Sequence, residues 1–125
     1  MADALLDTSV VIDLLRGYEP AKQWFAAQNN LALSRVVWLE VLEGAPNRAA
    51  QRAALQFLHR LPVEEVKPDD VVWATEQMIL RSLSHNVDAC DAIIASSCHR
   101  MQIPLFTRNF KHFEPLLGSL ARRPY

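Results

Sequence analysis

The sequence predicts an α/β protein, a three-layer α/β/α sandwich around a central parallel sheet of about four to five short strands. Three observations predict it. Short apolar runs at Ala4–Leu6, Leu31–Ser34, Pro62–Val66 and Pro104–Thr107 alternate with longer amphipathic stretches, as strands buried on both faces alternate with covering helices. Half of the 125 residues are hydrophobic and 22% are charged, which supports one folded domain over residues 1–125 and excludes disorder. With only 3 glycines and neither GxGxxG nor GxxxxGK[ST], nucleotide-cradling loops are excluded.

Taken in order, Ala4-Leu5-Leu6 is a short buried strand. Thr8 or Ser9 then caps a helix carrying Val10, Val11, Leu14 and Leu15, which Gly17 ends. Pro20 suits the first position of a second helix, with Trp24 and Phe25 on its apolar side. After the strand Leu31–Ser34, a helix runs from Arg35 until Gly44 and Pro46 stop it. Asn47 caps the next helix, where Ala54, Leu55, Leu58 and Leu61 recur at helical spacing while Arg48, Arg52 and Arg60 stay outside. Pro62–Val66 is a weak strand, and Pro68-Asp69-Asp70 opens a helix with two acids in its first turn. A helix over residues 88–102 leads into Pro104–Thr107, and the tail with Leu116, Leu117 and Leu120 adds a last short strand.

The net charge of −1 excludes a uniformly basic nucleic-acid binder, but it hides an uneven distribution. Residues 1–91 hold 8 Lys/Arg against 13 Asp/Glu, and residues 92–125 hold 5 against 1. No apolar run approaches the roughly 18 residues that span a bilayer. Asp3 and Asp7 stand where an export signal wants positive charge, so a cytoplasmic protein without membrane association is expected. Cys90 and Cys98 fall in one predicted helix, about 12 Å apart at a 1.5 Å rise, too far for a disulfide.

Ligands of open parallel sheets bind beyond the C-terminal strand ends. Asp7 ends the first strand, Glu40 lies in the helix after the second, and Asp88 and Asp91 start the helix leading to the strand before Thr107–Asn109. Gathered at one edge, these acids repel one another unless cations neutralise them. Hard oxygen ligands without a thiolate or imidazole set suit Mg²⁺ or Mn²⁺, which can activate water against a phosphodiester. Simpler roles compete: Asp7 as a strand-end hydrogen-bond acceptor, Asp88 and Asp91 as an N-cap and an N3 acid. Glu40 resists such a reading, because Val36, Val37, Trp38, Leu39, Val41 and Leu42 surround it with apolar residues, and burying an unpaired carboxylate is costly. Glu43 reads as a solvated helix residue. His59, His85, His99 and His112 form no ligand pair such as HExxH and read as surface or semi-exposed residues.

These residues together resemble the PIN-domain family, in particular the VapC-type toxin ribonucleases of toxin–antitoxin pairs. The likeness covers nearly the whole chain. It runs through Leu5-Leu6-Asp7-Thr8-Ser9-Val10-Val11-Ile12-Asp13-Leu14-Leu15, then Trp38-Leu39-Glu40-Val41-Leu42-Glu43-Gly44-Ala45, then Asp91-Ala92-Ile93-Ile94-Ala95-Ser96, then Pro104-Leu105-Phe106-Thr107-Arg108-Asn109-Phe110-Lys111-His112-Phe113. Each stretch is a weak match alone; the four in order are specific.

The resemblance implies a Mg²⁺-dependent endoribonuclease in which Mn²⁺ can substitute, with Asp7 and Asp91 as principal metal ligands and Glu40 completing the acidic set. It implies Asp88 as a supporting acid, and Thr8, Ser9 and Thr107 orienting water or metal by their hydroxyls. Members of the family often place a fourth acid near Asn109 or His112, which are non-acidic here. Arg108, Lys111 and Arg100 are expected to engage phosphates of an RNA substrate, whether tRNA, rRNA or mRNA. A VapB-type antitoxin and a homodimer, within a larger toxin–antitoxin assembly, follow as partners. The missing fourth acid motivates an alternative, a catalytically silent PIN-like module that binds RNA or protein. Two other α/β readings fail on residues: a response-regulator receiver lacks its acidic pair after the first strand, and a haloacid-dehalogenase phosphatase needs Asp-x-Asp where Asp7 is followed by Thr8-Ser9.

Overall fold

The computed structural model describes residues 1–125. Five parallel strands form the sheet in the order β3-β2-β1-β4-β5: β1 Ala4–Leu6, β2 Leu31–Ser34, β3 Val63–Glu64, β4 Leu105–Phe106 and β5 Ala121–Arg122. Every residue of β1 and β2 is buried, which is why these strands read as unbroken apolar runs. Seven helices connect and cover them: α1 Thr8–Leu15, α2 Glu19–Ala26, α3 Arg35–Gly44, α4 Arg48–Leu58, α5 Pro68–Arg81, α6 Ala89–Met101 and α7 Phe110–Leu117. Helix α1 packs on α2, α3 and α4, while α6 packs between α5 and α7 and also touches α3. One core of 26 buried residues joins these elements, with Leu5, Leu6, Leu33, Ile94, Leu105 and Phe113 at its centre. The predicted fold class is the observed one.

Three local expectations need correction. Helix α1 is capped by neither Thr8 nor Ser9: Asp7 occupies the N-cap position, and both hydroxyls are spent on carboxylates. The tail residues Leu116 and Leu117 are not in a strand but close helix α7, and Leu120 lies in the single 3-10 turn Gly118–Leu120, so the last strand falls later, at Ala121–Arg122. Phe110, Phe113, Leu116 and Leu117 recur at helical spacing, and burial of the last three outweighs the interior Pro115, whose lost hydrogen bond and clash cost about 3 kcal/mol. Leu39 is 62% exposed, so the apolar residues around Glu40 do not all turn to the core and α3 presents an outward face.

Arg100 is also not where a nucleic-acid contact is needed. Its Nε donates to Asp70 Oδ1 at 2.8 Å and its Nη2 to Glu64 Oε1 at 3.0 Å, near the C-terminal end of α6. Asp70 is 2% exposed; it also accepts from the Lys67 N–H, closing a capping box on α5, and from Ser97 Oγ. Burial pushes the Asp70 carboxyl up, but these donors outweigh it and hold the group below the ordinary carboxylate range. The guanidinium therefore ties β3, α5 and α6 together.

Candidate active site

Strand register builds the site. Leu6 pairs with Phe106, so the residues that follow them, Asp7 and Thr107, leave neighbouring strand ends side by side. Thr107 Oγ1 donates to Asp7 Oδ2 at 2.8 Å, and Ser9 Oγ, the second residue of α1, donates to the same oxygen at 2.8 Å. Asp7 is 3% exposed, and both donors go to Oδ2, which leaves Oδ1 without a protein donor. Helix α3 leaves the end of β2 with Ser34 as its N-cap and carries Glu40 back over α1. There Thr8 Oγ1 donates to Glu40 Oε1 at 2.6 Å. Asp88 caps α6 by accepting the Asp91 N–H on Oδ1 at 2.8 Å, the N-cap to N3 relation that the spacing predicted.

These elements leave one cavity of about 430 Å³, lined by Asp7, Thr8, Ser9, Ile12, Asp13, Arg16, Glu40, Asp88, Asp91, Arg108, Asn109 and His112. The structure thus brings Asp7, Glu40, Asp88, Asp91, Thr8, Ser9 and Asn109 to one place, with Thr107 directly behind Asp7. Asp7, Glu40 and Asp88 share a pattern: a neighbouring group holds one oxygen and the other is free of donors. Asp91 is the extreme case. Its Oδ2 is buried with no hydrogen-bond partner, although His112 Nδ1 stands 3.3 Å away.

The carboxylates strain against one another. Burial first, then the charges of Asp88 and Asp7, push the Asp91 carboxyl up to about 7. Burial likewise raises Glu40; the Thr8 hydrogen bond lowers it, and the Asp7 and Asp88 charges raise it further. Such a set favours an added cation. No three His, Cys, Asp or Glu side chains close on a single point as a preformed metal cage.

Sequence reasoning missed several participants. Asp13 accepts from Arg108 Nη1 at 2.8 Å and from the Tyr125 hydroxyl at 2.7 Å, and the Arg108 guanidinium lies 5.2 and 5.3 Å from the Tyr18 and Tyr125 ring centres. Arg108 also donates its backbone N–H to Ser9 Oγ at 3.1 Å. His112 is half-exposed, as expected, and it also lines the cavity from the first turn of α7, where Asn86 meets its Nε2 at 3.1 Å. The resemblance had put position 112 in the fourth-acid region, but the helix that carries it was not expected, because the interior Pro115 hid it. Arg16 lines the cavity from the end of α1.

A family model described as the PIN domain matches residues 4–114. The chain belongs to the PIN-domain family. Within it, the chain is similar to ribonuclease VapC19 of Mycobacterium tuberculosis, 31% identical over 97% of this chain and 98% of the relative. Among solved structures it is similar to a toxin–antitoxin complex from Klebsiella pneumoniae, at 27% identity and a TM-score of 0.80 over 98% of both chains. The fold alone is shared with the DNA-bound VapBC of Salmonella typhimurium, at 20% identity and a TM-score of 0.75 over 91% of this chain and 92% of the other. It is also shared with VapC20 of Mycobacterium tuberculosis, described as a sarcin-ricin-loop-cleaving toxin, at 19% identity and a TM-score of 0.72 over 85% and 89%.

Proposed function

We propose that this chain, as one domain over residues 1–125, is a Mg²⁺-dependent endoribonuclease toxin neutralised by a VapB-type antitoxin. The observation that carries the reading is the set of four carboxylates on one cavity, with Asp91 Oδ2 buried and without a hydrogen-bond donor, His112 Nδ1 being its nearest cationic group at 3.3 Å. Asp7 and Asp91 would hold the cation, Glu40 would complete the acidic set directly or through a water, and Asp88 supports them while capping α6. Mg²⁺ or Mn²⁺ bound there supplies charge neutralisation at the phosphodiester and acidifies a water. Thr8, Ser9 and Thr107 act one step back: their hydroxyls orient the carboxylates. Asn109 lines the mouth, and Arg108 and Lys111 face the incoming RNA backbone. The test is RNA cleavage by purified protein in Mg²⁺ and in EDTA: 5′-phosphate ends only with metal support the reading, and intact RNA in both overturns it.

The similarity to ribonuclease VapC19 supports the substrate class, and the solved toxin–antitoxin complex supports the partner. An apolar groove of about 710 Å³, lined by Leu14, Leu15, Phe25, Leu31, Phe57 and Leu61 among others, runs between α1, α2 and α4. Leu15 continues it into a second cleft that shares Ile12 and Arg16 with the acidic cavity. An antitoxin segment lying along this track reaches the acids, and Leu15→Asp is expected to relieve neutralisation while RNA cleavage persists. Homodimerisation fits the outer side of α5, where Val72, Ile79, Leu80 and the following Leu83 are exposed. No helix is long and apolar enough to cross a membrane, in keeping with a cytoplasmic site of action. A catalytically silent RNA- or protein-binding module is the second reading, favoured by the lack of a preformed three-acid cage; RNA affinity without saturable Mn²⁺ binding would support it.

A further inference from the structure

Beside the acidic cavity lies a notch of about 230 Å³ lined by Arg108, Asn109, Phe110, Lys111, His112 and Arg123. Arg108, Asn109 and His112 line both spaces, so the two adjoin. The notch is smaller than the roughly 300 Å³ at which small-molecule pockets begin, so it suits one phosphate and its neighbourhood instead of a whole enclosed ligand. Its cations differ in a telling way. Arg108 is neutralised by Asp13, and Arg100, elsewhere, by Asp70 and Glu64. Lys111 and Arg123 have no carboxylate partner. Arg123 is nevertheless held, with its guanidinium 4.3 Å from the Phe110 ring centre. An aromatic face fixes a cation without cancelling its charge or occupying its N–H donors. Strand β5 delivers it: Thr107 N–H donates to Arg122 O at 2.9 Å, which sets the residue after Arg122 next to the end of β4.

We infer that Arg123, seated on Phe110 and joined by Lys111, forms a subsite for the nucleotide adjoining the scissile phosphate. It binds that nucleotide's phosphate and offers an Arg–Phe stack to its base. This rests on the ribonuclease reading and names where the strand continues past the acids. Base–aromatic stacking and unspent guanidinium donors are the features single-stranded nucleic acid uses without sequence readout. An acidic peptide also meets such cations, but it has no use for the stack.

The test separates the subsite from catalysis. A fluorescent mixed-sequence 12-nucleotide single-stranded RNA is titrated in EDTA against Asp7→Asn and against Asp7→Asn carrying Arg123→Ala or Phe110→Leu. Arg123→Ala is expected to weaken binding about 5- to 30-fold and to flatten the salt dependence by about 0.7 in log–log slope, the share of one phosphate contact. Phe110→Leu is expected to weaken binding less, with an unchanged slope. In the otherwise wild-type enzyme, Arg123→Ala is expected to raise KM with kcat within about twofold, as loss of uniform binding requires. Unchanged RNA affinity in folded Arg123→Ala overturns the subsite, as does a loss confined to a poly-glutamate peptide. If wild type cleaves no RNA, the ribonuclease reading fails, while the EDTA titration still decides the subsite.

Discussion

Thr107 Oγ1 donates a 2.8 Å hydrogen bond to Asp7 Oδ2, joining two residues 100 positions apart at the ends of adjacent parallel strands. The same oxygen of Thr107 accepts the Asn109 N–H at 2.9 Å, so one buried hydroxyl aligns the Asp7 carboxylate and the turn that carries the mouth of the cavity. Thr107→Val keeps the shape and removes both bonds. It is expected to lower stability by about 1–3 kcal/mol in chemical denaturation, and to lower RNA cleavage more than the stability loss explains. Thr107→Ser restores the hydroxyl and should recover most of both.

Glu40 stands on the equivalent relationship with Thr8, at 2.6 Å. Glu40→Gln removes the charge from a partly buried position while preserving size. The expected outcome is unchanged or higher thermal stability with cleavage reduced about 100-fold or more, on the scale of losing one charge-stabilising group. Cleavage within about twofold of wild type, measured in steady-state assays, would remove Glu40 from the site.

Much of this was legible in the residues. An acid inside the apolar stretch of α3, a run ending at Asp7, and the Asp88 to Asp91 spacing each marked a local constraint. Register then places the strand ends together, as open parallel sheets require. The parts that were not legible depend on contacts distant in sequence. Nothing near Arg100 announces that Asp70 and Glu64 will claim it, and nothing near Thr8 or Ser9 tells a cap from a carboxylate partner. Arg123 acquires meaning only because β5 follows a helix that Pro115 disguises.

The Arg100 cluster gives a separable prediction. Arg100→Ala leaves Asp70 buried without its main donor and is expected to destabilise by about 2–4 kcal/mol, with RNA KM unchanged. Because the folded Asp70 carboxyl lies below its ordinary range, its contribution is present above pH ~4 and is lost as pH falls through the lower folded value. The mutant's deficit in urea titrations should therefore shrink below about pH 4. A deficit that stays constant down to pH 2 would contradict this.

Asp91 has the opposite sign. Its folded carboxyl is raised to about 7, so without metal the stability it favours is present at low pH and declines as pH rises from about 4 to about 7. Metal-free Asp91→Asn is expected to be more stable than wild type at pH 8, by on the order of 1–2 kcal/mol, and to lose that advantage near pH 4. Saturating Mn²⁺ should stabilise wild type and leave the mutant nearly unmoved. Differential scanning calorimetry across pH, with and without Mn²⁺, reads both effects.

Cation-assisted RNA cleavage by these acids is read out by mapping cleaved RNA ends after expressing wild type beside Asp91→Asn. New 5′-phosphate ends at discrete positions with wild type, absent with the soluble mutant, are the predicted result. The same ends with both proteins, or no new ends with either, would contradict it.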